Sequence, residues 1–185
     1  MSPRYEAIRP PRFEIEQGPW GERIRIKARR NFFALAFLPF WLIMWTFGGV
    51  MAITEFARTG EPFLAVWLCG WAFGWLAVAL VLAWMLRGAE VIAVAAGDLE
   101  IGHYLFGISR VRRYRGSDIR NFSAAESSFF ARFQFQIPFI MKAWSGAVKF
   151  NYGGRTVYAA EGLDEAEGRM IVQSLARRLP DGAWH

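Results

Sequence analysis

Two long uncharged runs break a chain whose other apolar residues come in short alternating groups. From Phe32 to Thr54 the sequence reads "FFALAFLPFWLIMWTFGGVMAIT", and from Pro62 to Leu86 "PFLAVWLCGWAFGWLAVALVLAWML", with only "EFARTGE" between them. A helix needs about 20 apolar residues to cross the hydrocarbon layer. The pattern therefore predicts spans over 32–54 and 62–86, joined as a transmembrane helical hairpin over 32–86. Two buried helices of a soluble protein would each show a polar face, and neither run has one. Ahead of the spans, 1–31 reads as a cytoplasmic basic segment.

After Leu86 the period changes. "EVIAVAA", a Gly97-Asp98 turn, "LEIGHYLF", "ISRVRRY" and "IRNF" alternate as β-strands separated by turn residues. "GAVKFNY" and "RTVYAAE" follow, joined through Gly153-Gly154, a two-residue hairpin signal. In "LDEAEGRMIVQSLARRL", Asp164 and Glu167 form a capping-box pattern, Ile171, Leu175 and Leu179 recur at helical spacing, and Pro180 stops the helix. Strands and helix make a domain over 87–180, and 181–185 reads as a tail.

Basic residues orient the hairpin, because cytoplasmic flanks carry the excess of Lys and Arg. Arg23, Arg25, Lys27, Arg29 and Arg30 precede the first span, and Arg87 with Arg110, Arg112, Arg113 and Arg115 follows the second. The connecting turn holds Arg58 alone, between Glu55 and Glu61. Both termini are expected on the cytoplasmic side of a bacterial inner membrane, in a multi-pass protein. A cleavable signal peptide would have a shorter apolar core and a basic region at the extreme N-terminus. With that orientation the Asn121-Phe122-Ser123 sequon would never be luminal, so it is not a glycosylation acceptor.

Within the hairpin, Trp67, Trp71 and Trp75 share one face of the second span, and Gly70 and Gly74 form a small-xxx-small pair that lets another helix approach. Trp41 and Trp45 make a similar stripe on the first span, and antiparallel pairing would bring Trp45 near Trp71. Interfacial anchoring would account for Trp84 and Trp67. Trp45 and Trp75 fall too deep for an aromatic belt, leaving close packing, or contact with a partner helix or pigment. Neither span contains His, Asp, Glu, Lys or Arg, which argues against a histidine-ligated pigment and against an ion pathway.

The stretches "GAEVIAVAAGDLEIGHYLFGISRVRRYRGSDIRNF" and "GAVKFNYGGRTVYAAEGLDEAEGRMIVQSLARRL", about half the chain, behind a two-span hairpin, resemble the membrane-anchored bacterial pleckstrin-homology-like (PH-like) domain proteins. The resemblance implies an α+β membrane protein: a two-helix transmembrane hairpin followed by a PH-like antiparallel β-sheet domain with a C-terminal helix. It implies a curved seven-stranded sheet and roles in scaffolding, assembly or regulation of membrane complexes, and supplies no catalytic residues. The N-terminal extension and an aromatic insertion at about 123–146 depart from the family outline.

Composition sharpens this picture. Hydrophobic residues make up 54% of the 185 and aromatics 17%, including nine Trp and seventeen Phe, and the formal charge is +6. The basic surplus flanks the spans, so orientation explains it without nucleic acid, for which no reader motif appears. A single cysteine, Cys69, cannot form an intrachain disulfide, and two separated histidines, His103 and His185, make zinc improbable. Asp98 and Glu100 read as a solvated hairpin end. No nucleophile elbow, phosphate-cradling loop or dinucleotide fingerprint is present, so no enzyme, cofactor or metal is expected.

Two surfaces remain as candidates. The patch Arg110, Arg112, Arg113 and Arg115 suits anionic phospholipid headgroups, or else a solvated strand edge. The insertion "FFARFQFQIPFIMKAW" is too short to span, and Pro138 forbids a long helix in it. Phe129, Phe130, Phe133, Phe135, Phe139 and Trp144, bracketed by Arg132 and Lys142, suit the headgroup boundary or a partner, with an internal strand pair as the alternative. The functional expectation is a non-catalytic accessory or assembly subunit of a larger inner-membrane complex, respiratory or photosynthetic, partnered by integral membrane protein and anionic phospholipid. The rival is an independent lipid-responsive regulator.

Overall fold

Ile24 and Ile26 alternate with Arg23, Arg25 and Lys27, and this two-residue period places the isoleucines on a buried face and the charges on the other. The computed structural model describes residues 11–18, 21–125 and 146–184. Strands β1 (Phe13–Gly18) and β2 (Gly21–Lys27) come first, then helices α1 (Phe32–Thr59) and α2 (Pro62–Arg87). Strands β3 (Ala89–Ala95), β4 (Asp98–Leu105), β5 (Ile108–Tyr114), β6 (Ile119–Ala124), β7 (Val148–Tyr152) and β8 (Arg155–Ala159) follow, with helix α3 (Glu165–Ala176) and a final 3-10 turn, Asp181–Trp184. The fold is α+β: two long apolar helices, antiparallel sheets and a C-terminal helix.

The strands form a five-stranded sheet, β1-β2-β3-β4-β5, and a three-stranded sheet, β6-β7-β8, antiparallel throughout. Here the structure departs from the sequence reading. The segment ahead of the first helix is no mere flank, because β2 pairs with β3 across the helical hairpin, Ile24 opposite Ile92. The helices are thus an insertion into a strand pair, and Ala28 N–H donates to Gly88 C=O at 3.0 Å where they leave the sheet. The described residues hold eight strands in two sheets, against the single seven-stranded sheet implied by the resemblance.

The sheets close on one core. Ile24, Ile26, Ile92, Leu99 and Ile101 from the first meet Ile119, Phe122, Val148 and Phe150 from the second, and Ile171 and Leu175 of α3 complete it. Each such side chain, fully buried, contributes about 1.5–3 kcal/mol. The expected capping box is present: Asp164 Oδ1 accepts from Glu167 N–H at 2.9 Å and Glu167 Oε2 from Asp164 N–H at 3.0 Å. Residues 181–184 of the expected tail join the core: Ala183 is fully buried and Trp184 packs edge-on against Phe122.

Local chemistry sets the helix ends. Asn31 caps α1, its side-chain oxygen accepting from Phe33 N–H at 3.0 Å and Ala34 N–H at 3.3 Å. The helix continues past Thr54, because Glu55, Ala57 and Arg58 are sound helix formers, until Gly60 ends it at φ 68°. Pro62 then opens α2 at a first-turn position, where its missing N–H costs nothing.

Candidate functional site

Two features of the fold carry chemistry: the seam between the helices, and the sheet end from which they emerge. In the seam, tryptophans of each helix sit on glycines of the other. Trp45 lies over Gly74, where an added Cβ would meet its ring at 3.3 Å, and Trp71 lies so closely over Gly49 that any side chain there would overlap it. Trp75 Nε1–H donates to Thr46 Oγ1 at 3.0 Å, in the same antiparallel register. Trp45 also stacks edge-on against Trp41. Glycines facing rings in this way let the two helices approach closely.

The seam revises the reading of the Gly70/Gly74 pair. Gly74 is taken up inside the hairpin by Trp45, and only Gly70 faces open space. Trp67 is exposed and Trp75 half-buried. Trp84 is no interfacial anchor: it is buried, packs on Gly88 and lies 5.9 Å from the His103 ring. The outward faces of both helices are apolar, with Phe40, Phe47, Phe63, Val66 and Phe73 all exposed.

Where α2 runs into β3, the buried face of the five-stranded sheet turns polar. Register aligns Ile26, Glu90, His103 and Arg110 across β2 to β5. Glu90 is buried, and its carboxylate accepts from Ala160 N–H at 3.1 Å and Glu161 N–H at 2.9 Å. Ala160, at φ 61°, holds the left-handed conformation that follows β8 and precedes this second donated N–H. Burial raises the Glu90 carboxyl against the pull of these two N–H groups. Glu161 is raised to about 8, by burial and then by the charge of Glu90. Its Oε1 is sealed from solvent without a hydrogen-bond partner among the described residues, as is His103 Nε2. His103 is lowered to about 4, by burial and then by Arg112 and Arg110, so the imidazole is neutral at pH 7. No metal-holding group of His, Cys, Asp and Glu occurs among the described residues.

Three residues of the expected basic patch have carboxylate partners. Lys27 pairs with Glu14 at 2.6 Å, Arg25 with Glu16 at 3.3 Å, and Arg113 with Asp98 at 3.0 Å. Asp98 also accepts from Gly116 N–H at 3.0 Å, which, ahead of Arg113, holds its carboxyl below the usual range. Arg110 and Arg112 share the face of His103, Arg113 lies on the opposite one, and Arg115 follows the strand. Arg23 packs beside Gly18. Arg29, Arg30 and Arg87 are exposed and enter no ion pair among the described residues. The aromatic segment with Phe129, Phe130, Arg132, Phe133, Phe135, Phe139, Lys142 and Trp144 lies outside the described residues.

One contact the sequence reading missed pins the chain's N-terminal part to its last helix. Arg12 N–H and Arg12 Nη2–H donate to the Glu167 carboxylate at 2.7 and 2.8 Å. Burial works to raise that carboxyl, but Arg12 and the Asp164 N–H outweigh it and lower it. The capping-box pattern marks Glu167, yet nothing local marks a partner 155 residues away.

No protein-family model, curated protein or solved structure matches the chain.

Proposed function

We propose that the protein is a non-catalytic accessory or assembly subunit of a larger bacterial inner-membrane complex, with α1 and α2 crossing the bilayer and the sheets forming a PH-like cytoplasmic domain. The observation that carries this reading is the insertion of the apolar hairpin between hydrogen-bonded strands β2 and β3. Strands that pair must lie on one side of a membrane, so the chain between them crosses an even number of times, as two spans do. Because α2 runs into β3 across Gly88 alone and α1 is joined to β2 by only four residues, 28–31, the domain sits close against the spans, which suits a scaffold better than a sensor on a long tether. The exposed phenylalanines on both helices support a lipid or protein environment, since apolar patches this large are rare in water. Antiparallel strands closed by the C-terminal helix α3 support the PH-like reading, although their division into two sheets departs from its outline.

The rival lipid-responsive regulator loses ground because Arg25, Lys27 and Arg113 already have carboxylate partners. The test is purification of the full chain from native membranes in mild detergent, at low salt and at roughly 1 M, where the Debye length is about 3 Å. An assembly subunit elutes with a stoichiometric integral-membrane partner under both conditions. Elution alone under both conditions overturns the reading.

A further inference from the structure

The β4–β5 turn presents an arrangement that the fold itself does not need. Phe106 and Gly107 both have positive φ, 49° and 84°, giving a tight two-residue turn. Glycine suits the second position, but a left-handed aromatic residue is disfavoured. Packing does not compensate, because Phe106 is 65% exposed and its neighbour Ile108 63%. The β3–β4 turn at the other end of the sheet has the same backbone form with the small Ala96 in that place, followed by Gly97 and Asp98. Strain at an exposed aromatic points to something outside the domain.

Register says where that turn lies. Lys27, Ala89, Tyr104 and Ser109 align at the end of the sheet where the helices leave, and the β4–β5 turn projects beyond that row. Trp84, in the last turn of α2, packs against His103. Phe106 is three residues further along, roughly 10 Å at about 3.3 Å per residue. The turn therefore reaches at least as far as the last turn of α2. Arg29, Arg30 and Arg87 bracket the same level, exposed and without an ion pair among the described residues.

We infer that the β4–β5 turn is a second membrane contact: Phe106 and Ile108 enter the headgroup layer beside the hairpin, while Arg29, Arg30 and Arg87 hold lipid phosphates. The inference rests on the hairpin being membrane-spanning and adds the domain's own point of attachment to it. An apolar tip with cations at the same level suits the boundary between headgroups and acyl chains. The domain is then fixed at two places, the paired strands and the turn, and cannot swing about the helix ends.

Depth-dependent quenching tests this on the full chain in phosphatidylglycerol–phosphatidylethanolamine vesicles containing lipid spin-labelled either near the headgroup or along the acyl chain. Three single-cysteine proteins carry the same fluorophore: one at native Cys69, exposed on α2, and, on a Cys69→Ser background, Phe106→Cys and Ala96→Cys. The expected result is strong quenching at 69 by the acyl-chain label and at 106 by the headgroup label, each severalfold above that at 96. Quenching at 69 with equal, weak quenching at 106 and 96 overturns the inference and leaves the spanning hairpin standing. Weak quenching at 69 overturns the spanning hairpin, and the second contact falls with it.

Discussion

The helical hairpin and the sheet domain are held together by different physics, although one runs without a break into the other. In the sheets, aliphatic side chains leave water, and the opposite faces are closed by ion pairs such as Lys27–Glu14. In the hairpin few side chains are buried, and cohesion depends on the fit of Trp71 over Gly49 and Trp45 over Gly74. Burial tolerates exchanges of similar volume, whereas a ring lying on a glycine tolerates almost none. The lesson is where fragility lies: in the hairpin it sits in two glycines, and in the domain it is spread over many contacts.

The largest effect should come from breaking that fit. Gly49→Leu forces the Trp71 ring out of the seam and should cost about 3 kcal/mol or more, beyond ordinary overpacking, while Gly48→Leu next to it, with nothing near, should cost under about 0.5 kcal/mol. Thermal midpoints in detergent compare the two. Equal losses would mean that burial rather than fit holds the hairpin.

A pH series sharpens the other side. Glu161 has an ordinary value of 4.5 and is raised to about 8 in the fold, so its contribution to stability is full below 4.5 and is lost as pH rises through 8. His103, lowered from 6.5 to about 4, acts oppositely: its contribution is full above 6.5 and is lost as pH falls through 4. The two slopes oppose between 4.5 and 6.5, and above that only the buried carboxyls act, Glu161 together with its raised neighbour Glu90. Stability should fall by on the order of 2 kcal/mol from pH 6.5 to 8. Glu161→Gln should flatten the fall, and an unchanged slope would remove the buried acid as its source.

Smaller effects test single contacts. Glu167→Gln weakens the Arg12 link and should cost about 1 kcal/mol, with β1 exchanging its amide hydrogens faster than β7. Uniform acceleration would mean that Arg12 does not anchor β1 in particular. Trp75→Phe removes the bond to Thr46 and should cost only about 0.6 kcal/mol, the typical value for such bonds between membrane helices. A loss as large as that of Gly49→Leu would make the hydrogen bond, rather than ring-on-glycine fit, the dominant cohesion.

The sequence shows most clearly what depends on neighbours along the chain. Uncharged length reveals both helices, alternation reveals β3 to β8, Gly153-Gly154 reveals a turn and Asp164 with Glu167 a cap. It is silent on what depends on distant pairing. The isoleucines at 24 and 26 do alternate with charges, but their strand partner lies across the hairpin, so the charges read as a flank. The spacing of the tryptophans gives the helix face and not the register, and the register decides that Gly74 faces inward and Gly70 outward. The polar cluster assembles Glu90, His103 and Glu161 from three elements, and no short motif could have announced it.

Synthesis gives the strand insertion a temporal meaning. As the chain emerges, β1 and β2 are made before the helices, yet β2 has no neighbour on one side until both helices and β3 have followed. Closing so long a loop is slow relative to local pairing. Under the proposed topology, a chain that failed to return across the bilayer would leave β2 and β3 on opposite sides, unable to meet. The five-stranded sheet would then never close, and its exposed edges would mark the chain for removal. Under that topology, the sheet can be completed only after both helices have crossed.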